Sequence, residues 1–190
     1  MVDAGGSWTS RPADDEEGLA LARALNVPPL VGQLLVRRGV VEPDQAQRFL
    51  SPRLEHLPNP LSMAGLERAS NRLAEAILRR EPVALYGDYD VDGVTSSALL
   101  TDFLRHHGLE PRVYIPHRLR EGYGLHRDGL ETLAREGARL LVTLDCGITA
   151  VEEVRFANEL GLDVIVVDHH RCPVDLPPAF RDAQSAATFV

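Results

Sequence analysis

Short apolar segments recur along the chain from residue 83 onward, and segments with helical periodicity separate them. The apolar segments lie at residues 83–87, 112–115, 140–144 and 163–167, and the helical pattern falls at about 94–107, 127–137 and 149–160. Apolar strands that alternate with amphipathic helices are typical of a parallel sheet that is buried on both faces. The sequence therefore predicts an α/β fold, in which a parallel sheet has helices on both faces.

The first eighty residues have a different pattern. Residues 1–18 are polar and acidic and predict a disordered tail, whereas residues 19–80 predict a small helical N-terminal region. The last helix of this region is amphipathic, and its expected inward face consists of Leu66, Leu73, Ile77 and Leu78. We place the α/β core at residues 81–175 and expect residues 176–190 to form a divergent C-terminal tail.

Composition excludes several kinds of chemistry. All 20 basic residues are arginine, so the chain offers no lysine for a Schiff base, a P-loop or a general base. The net charge of −8 argues against general adhesion to nucleic acid or to anionic membranes. The two cysteines, Cys146 and Cys172, do not have a zinc-binding spacing. We see no secretory signal and no membrane-spanning segment, and we expect a cytoplasmic protein.

Acidic residues and histidines follow three of the predicted strands. Asp88, Asp90 and Asp92 come after the first strand, Asp145 after the third, and Asp168, His169 and His170 after the fourth. Ligands of open parallel sheets bind at the carboxyl ends of the strands, where these residues would meet. Crowded carboxylates repel one another unless a cation lies between them. Because imidazole joins carboxylate here, the sequence predicts a divalent metal site that suits manganese better than magnesium.

Two other interpretations of the alternating carboxylates are less consistent with the sequence. A calcium-binding EF-hand loop that begins at Asp88 needs glutamate at its twelfth position, where Leu99 stands. Asp90 also resembles the nucleophile of haloacid-dehalogenase-type phosphatases, but those enzymes use a downstream lysine that this chain lacks. That hypothesis remains an alternative. A role in turns and helix caps would explain one of the aspartates and not all three.

The loop after the second strand, residues 115–126, combines cationic and aromatic side chains. The candidates for substrate binding are His117, Arg118, Arg120, Tyr123 and His126. Arginine and histidine donate hydrogen bonds to phosphate, and an aromatic ring can stack on a nucleobase. A solvated polar loop would have a similar composition. The position of the loop beside the predicted metal site favours substrate contact.

Four segments together resemble the DHH phosphoesterase family, and within it the RecJ family of exonucleases: residues 87–95, 115–126, 142–147 and 166–170. The resemblance implies a Rossmann-like DHH core and a manganese- or magnesium-dependent hydrolase that degrades single-stranded DNA from the 5′ end in repair and recombination. It also implies a helicase and a single-strand-binding protein as partners.

By position, the resemblance implies that Asp90, Asp92, Asp145 and His169 are metal ligands. Asp88, Asp168 and His170 would support them or touch the scissile phosphate as catalytic residues. Two divalent ions would bridge the phosphate and activate the attacking water, and Asp92 is the best candidate for a bridging ligand.

Members of the family continue for hundreds of residues after the last of these motifs, with a further acidic motif and a second domain. We therefore expect a truncated form that binds metal weakly and cleaves poorly. Two other functions remain open. One is a DHH phosphodiesterase that acts on short oligonucleotides or cyclic dinucleotides, and the other is a non-catalytic DHH-fold scaffold.

Overall fold

The computed structural model describes residues 15–174, Pro177 and the strand at 186–189. The chain divides into two compact units, with the boundary between Pro58 and Asn59. The sequence predicts a disordered tail at residues 1–18. Residues 1–14 of this segment lie outside the described residues, and residues 15–18 belong to the first helix.

The first unit is a small cluster of helices. It contains α1 (Asp15–Leu25), α2 (Pro29–Arg37), α3 (Pro43–Leu50) and a single 3₁₀ turn (Leu54–His56). Proline occupies the first position of α2 and of α3, where its missing N–H costs no hydrogen bond. A buried apolar cluster of Leu21, Leu35, Val40 and Ala46 holds these helices together.

No single helix in the described part of the chain has the length and apolar character that crossing a membrane requires. Among the described residues, one pair of helices, Glu16–Leu25 and Pro29–Arg37, has this length and composition when the two are taken together, and the pair is bent by 118° at its break.

The second unit contains a five-stranded parallel sheet in the order β2-β1-β3-β4-β5. After a 3₁₀ turn (Pro60–Ser62), its elements are α4 (Leu66–Arg79), β1 (Val83–Gly87), α5 (Val91–His106), β2 (Arg112–Tyr114), α6 (Arg127–Arg135), β3 (Leu140–Leu144), α7 (Val151–Glu159), β4 (Asp163–Asp168) and β5 (Ala186–Phe189). The predicted parallel sheet and the helical region that precedes it are confirmed. The strand β5, which pairs with β4, lies in the segment that the sequence predicts to be a divergent tail.

Alternate residues of the strands enter two separate cores, one on each face of the sheet. Ala84 and Tyr86 of β1 pack with Leu130 of α6 and Val154 of α7. On the other face, Val83 and Leu85 join Ala69 and Ala76 of α4 and Leu104 of α5. Residues of β3 and β4 extend the two cores in the same alternating way. The sheet is therefore covered by helices on both faces, which fixes its strands in one register.

Helix α4 belongs to the same compact unit as the sheet and packs against one of its two cores. Its buried positions are Ala69 and Ala76, with Leu73 and Ile77 partly buried against the same core. The prediction that Leu78 faces inward is wrong, because this side chain is 84% exposed. Small alanines let the helix approach the sheet closely, and this shifts its buried face away from Leu78.

The register brings the ends of three strands to one level. Gly87 of β1 pairs with Leu144 of β3, and Leu144 pairs with Val167 of β4. The ladder continues one residue further, because the Asp88 N–H donates to the Leu144 carbonyl (3.1 Å) and the Asp145 N–H donates to the Val167 carbonyl (2.9 Å). Asp88, Asp145 and Asp168 consequently lie side by side along the carboxyl edge of the sheet. We call the group formed by these three residues and their neighbours the acidic rim; its other members are Asp90, Asp92, His169 and His170.

Candidate metal centre

The turn from β1 into α5 supplies the first carboxylates of the acidic rim. Asp88 is 2% exposed, whereas Asp90 lies at the surface as the N-cap of α5. The Asp90 Oδ1 accepts hydrogen bonds from the N–H groups of Asp92 (3.0 Å) and Gly93 (3.1 Å). The Gly93 N–H, above all, lowers the pKa of the Asp90 carboxyl below its usual value. These hydrogen bonds favour the ionised carboxylate, which is the form that binds a metal cation.

Gly93 is required by the close approach of α5 to the end of β1. A Cβ at this position would lie 2.4 Å from the Asp88 carbonyl oxygen and 2.5 Å from the Asp88 nitrogen. Further along the helix, the buried Ser97 hydroxyl donates to the Gly93 carbonyl (2.7 Å). The glycine after the third aspartate thus allows the helix N-terminus, with Asp90 and Asp92, to pack directly against Asp88.

The turn after β3 presents Asp145 in an unusual backbone conformation. Its φ of +63° lies in the left-handed region, which aspartate tolerates better than most residues. The Thr143 hydroxyl donates to the Cys146 carbonyl (2.8 Å) and closes this turn. The Asp145 side chain is almost fully buried, and its Oδ1 lies 2.9 Å from Nε2 of His169. The turn therefore directs the carboxylate toward the histidine pair that follows β4.

Asp168 at the end of β4 is buried and its two oxygens are engaged by the protein. Oδ2 accepts from the Ile148 N–H (2.9 Å), and Oδ1 accepts from the His170 N–H (3.0 Å) and contacts the His170 Nδ1 (2.7 Å). This contact with Asp168 raises the pKa of the His170 imidazole. Asp168 therefore orients His170 and connects the ends of β3 and β4.

Two sets of possible ligand atoms share Asp145. Within each set the ligand atoms all lie within 4.8 Å of one another; the sets are Asp88, Asp90 and Asp145, and Asp145, His169 and His170. Burial, followed by the neighbouring Asp90 carboxyl, raises the pKa of Asp145. In the described part of the chain, the buried oxygens Asp88 Oδ1 and Asp145 Oδ2 accept no hydrogen bond. A divalent cation would satisfy both oxygens and neutralise the crowded carboxylates, so the donor set fits manganese or magnesium.

Asp92 stands apart from these two sets. It lies on the exposed first turn of α5 and lines an open cleft of about 440 Å³ together with Asp145, Asp168 and His169. The structure thus brings Asp92 to the same cleft without placing it within the closest groups. Cys146, beneath the rim, is fully buried, and burial raises the pKa of its thiol, which makes it unsuitable as a nucleophile.

The loop at residues 115–126 reaches the rim through Tyr123. The Tyr123 hydroxyl lies 3.3 Å from the His170 Nδ1 and 3.4 Å from the Asp145 carbonyl oxygen. The Arg118 guanidinium lies over the ring of Tyr89, 5.1 Å from its centroid. Tyr89 stands between Asp88 and Asp90 and is absent from the site residues that the sequence predicts. An aromatic residue between two candidate ligands was the signal that could have identified it.

The other predicted substrate-binding residues are less closely tied to the rim. Arg120 and His117 are exposed, and the Nδ1 of His117 accepts from the Leu119 N–H (3.3 Å). His126 is the N-cap residue of α6; its backbone N–H donates to the Tyr86 hydroxyl (3.2 Å). Its Nε2 is buried with no hydrogen-bond partner among the described residues, and it belongs to neither ligand set.

With this fold and this site, the chain belongs to the DHH family: the N-terminal domain of that family matches residues 82–188. The match extends beyond residue 175, the predicted end of the core, and includes most of β5.

More particularly, the chain is similar to proteins named single-stranded-DNA-specific exonuclease RecJ. The RecJ of Bacillus subtilis is 38% identical over 170 residues, which are 90% of this chain and 22% of that protein. The RecJ of Escherichia coli is 35% identical over 154 residues, which are 80% of this chain and 26% of that protein. The chain thus spans about a quarter of the length of these curated relatives.

Solved structures of RecJ resemble this chain as well. A crystal structure of exonuclease RecJ bound to manganese has a TM-score of 0.60 and 36% identity, over 70% of this chain and 32% of the other. RecJ from Thermus thermophilus in complex with Mn²⁺ has a TM-score of 0.63 and 29% identity, over 92% of this chain and 23% of the other.

Proposed function

We propose that this chain carries the metal centre of a hydrolase that degrades single-stranded DNA from the 5′ end, as part of DNA repair and recombination. The observation that carries the proposal is the pair of ligand sets that share Asp145, with two buried carboxylate oxygens lacking a hydrogen bond in the described structure. Its similarity to RecJ proteins, and to two crystal structures of RecJ that contain manganese, supports the substrate and the metal.

In this proposal, Asp90, Asp145 and His169 hold divalent manganese or magnesium, and Asp92 approaches it from the α5 side of the cleft. When bound, the metal polarises a phosphoryl oxygen and lowers the pKa of the attacking water. The protein contributes preorganisation: the N-cap hydrogen bonds hold Asp90 in place, and the contact with His169 orients Asp145. Little reorganisation is then needed when a phosphodiester enters the cleft.

Asp88, Asp168 and His170 are proposed to act on the substrate directly or through their neighbours. Asp168 is saturated with hydrogen bonds and favours the protonated imidazole of His170, which can then attract a phosphate. Asp88 is buried, its Oδ1 has no hydrogen-bond partner among the described residues, and it shares a ligand set with Asp90 and Asp145. His170 is therefore the member of this group that is best placed to touch the scissile phosphate.

The substrate side of the cleft is proposed to consist of His117, Arg118, Arg120, Tyr123 and His126. Tyr123 has the firmest support, because it contacts His170, and Arg118 follows through its stacking on Tyr89. A helicase and a single-strand-binding protein are proposed as partners on the resemblance alone.

The test is release of mononucleotides from single-stranded DNA in the presence of Mn²⁺. One oligonucleotide carries a label at its 5′ end and another at its 3′ end. Early release of the 5′ label as a mononucleotide, with late loss of the 3′ label, is the expected result. Asp92→Asn should abolish release, whereas Asp102→Asn, which removes a carboxylate elsewhere on α5, should leave it unchanged.

Other outcomes would favour the alternatives. Hydrolysis confined to dinucleotides or cyclic dinucleotides would indicate a phosphodiesterase for small substrates. If Mn²⁺ neither supports hydrolysis nor stabilises the fold, the metal-centre proposal is wrong and a scaffold is favoured, because a ligand that binds only the folded state must raise its stability.

A further inference from the structure

Two aromatic rings connect the Arg118 side chain to the histidine pair of the acidic rim. The Arg118 guanidinium carbon lies 5.1 Å from the centroid of the Tyr89 ring. The ring of Tyr89 meets the ring of Tyr123 edge to face, at 6.5 Å and 84°, and Tyr123 meets His170 at 5.8 Å and 74°. Such edge-to-face contacts are favourable for aromatic rings, so each ring limits the movement of the next.

The hydrogen-bond donors of Arg118 have no acceptor among the residues that the structure describes. Arg105 forms a charged pair with Glu110, and Arg112 forms a bidentate pair with Glu136 at 2.7 and 2.8 Å. Within the described residues, Arg118 is exposed and forms no ion pair and no side-chain hydrogen bond. Stacking on a ring occupies the face of the guanidinium plane and leaves the N–H groups at its edge free.

We propose that Tyr89 is a positioning residue, whose ring holds the Arg118 guanidinium beside the acidic rim so that its free N–H groups bind a phosphate of the DNA strand. This inference rests on the proposed function for its substrate. Its own physical basis is separate. An exposed arginine side chain would otherwise move among many rotamers, and contact with the Tyr89 ring restricts it while leaving its N–H donors available.

The first experiment measures the affinity for a single-stranded oligothymidylate by fluorescence anisotropy in Ca²⁺, after electrophoresis has verified that the oligonucleotide stays intact. Tyr89→Leu removes the ring and should weaken binding about two- to fivefold, the value of an exposed cation–π contact. Tyr89→Phe keeps the ring and should bind like the wild type. Arg118→Gln should weaken binding and reduce the slope of log affinity against log salt by about 0.7, as expected for one lost phosphate contact.

A matched control and a double variant separate positioning from a general structural effect. Phe156→Leu removes the ring beneath Arg127, at 4.8 Å in a similar pair between α6 and α7, and should leave DNA affinity unchanged. In the Arg118→Gln background, Tyr89→Leu should cause no further loss. Additive losses from the two substitutions, or wild-type affinity in Tyr89→Leu, would overturn the assignment.

A second measurement is independent of DNA. The Arg118 side-chain N–H signal, assigned by its absence in Arg118→Gln, is followed by NMR during titration with inorganic phosphate in a buffer without divalent cations. Phosphate should shift this signal at lower concentration in the wild type and Tyr89→Phe than in Tyr89→Leu. If the wild type binds no DNA but this difference is found, the proposed function fails and the role of Tyr89 stands. Equal titration in the wild type and Tyr89→Leu would refute that role.

Discussion

Asp88 and Asp168 show that two buried aspartates at the same edge of a sheet can differ in how far the protein satisfies their hydrogen bonds. Asp168 accepts hydrogen bonds at both of its oxygens, from Ile148 and His170. Asp88 is equally buried, yet its Oδ1 has no hydrogen-bond partner among the described residues. A buried carboxylate without such a partner destabilises the fold unless a cation binds it. Asp88 is therefore expected to cost stability that metal binding recovers.

Asp88→Asn tests this expectation directly. Without metal, the variant should equal the wild type in free energy of unfolding or exceed it by about 1 kcal/mol, because one uncompensated charge is removed from the core. Its stabilisation by Mn²⁺ should be smaller than that of the wild type. Urea unfolding with and without Mn²⁺ measures both quantities, and Asp102→Asn on the surface of α5 is the control. A metal-free loss comparable to a core cavity would contradict the interpretation.

Gly93→Ala tests the contact between α5 and β1. The added Cβ would overlap the Asp88 backbone, so the helix N-terminus must move, and the free energy of unfolding should fall by about 1–3 kcal/mol. Because Asp90 and Asp92 move with it, stabilisation by Mn²⁺ should weaken as well. Ala98→Ser changes a neighbouring exposed position of the same helix; it should lower the free energy of unfolding by only about 0.5 kcal/mol and leave stabilisation by Mn²⁺ unchanged. Unchanged stability of Gly93→Ala would show that the contact is looser than the structure indicates.

At the scale of elements, the loop at residues 115–126 is fixed at three points. Its last residues are tied to β1, because the Tyr86 hydroxyl donates to the Gly124 carbonyl (3.2 Å) and accepts from the His126 N–H. In its middle, the Glu121 carboxylate accepts from the His117 N–H (2.6 Å) and from the Tyr114 hydroxyl. At the rim, Tyr123 contacts His170. A loop with these contacts can present Arg118 in a defined position.

Glu121→Gln should weaken this loop in a pH-dependent manner. The hydrogen bonds from the His117 N–H and then from Tyr114 hold the pKa of Glu121 below its ordinary 4.5, so its stabilising effect is present above pH 4.5 and is lost as the pH falls through the lowered value. We therefore expect the wild type to exceed the variant by about 1 kcal/mol in free energy of unfolding at pH 7, with the difference disappearing at low pH. Denaturant unfolding across this pH range measures the difference, and Glu131→Gln on the exposed side of α6 is the control. A difference that grows toward acid pH would contradict the assignment.

For the molecule as a whole, the sheet is the element that makes the metal site possible. Asp88, Asp145 and Asp168 are far apart in the chain and meet only because β1, β3 and β4 are paired in register. Metal binding at the rim should consequently depend on the intact sheet and should stabilise it in return.

Mn²⁺ at 100 times its dissociation constant should raise the free energy of unfolding by about 2.7 kcal/mol, and EDTA should reverse the effect. Asp145→Asn should lose most of this gain, because Asp145 belongs to both ligand sets. Thermal unfolding at several Mn²⁺ concentrations provides the measurement. A melting temperature that does not respond to Mn²⁺ in the wild type would disprove the metal centre.

The sequence by itself determined the elements of the core and the residues of the rim. Apolar segments that end in aspartate predicted β1, β3 and β4 closely, because a strand buried on both faces has few other compositions, and the aspartates after them could only gather at the carboxyl edge. The tertiary structure decided what depends on contacts between distant residues. It buried Ala69 and Ala76 of α4 and left Leu78 exposed, and it added β5 to the sheet. It distinguished the satisfied Asp168 from the unpartnered Asp88, and it placed Tyr89 beneath Arg118. Local composition encodes the periodicity of an element, whereas the partner of a side chain is set by the packing of segments that are remote in the sequence.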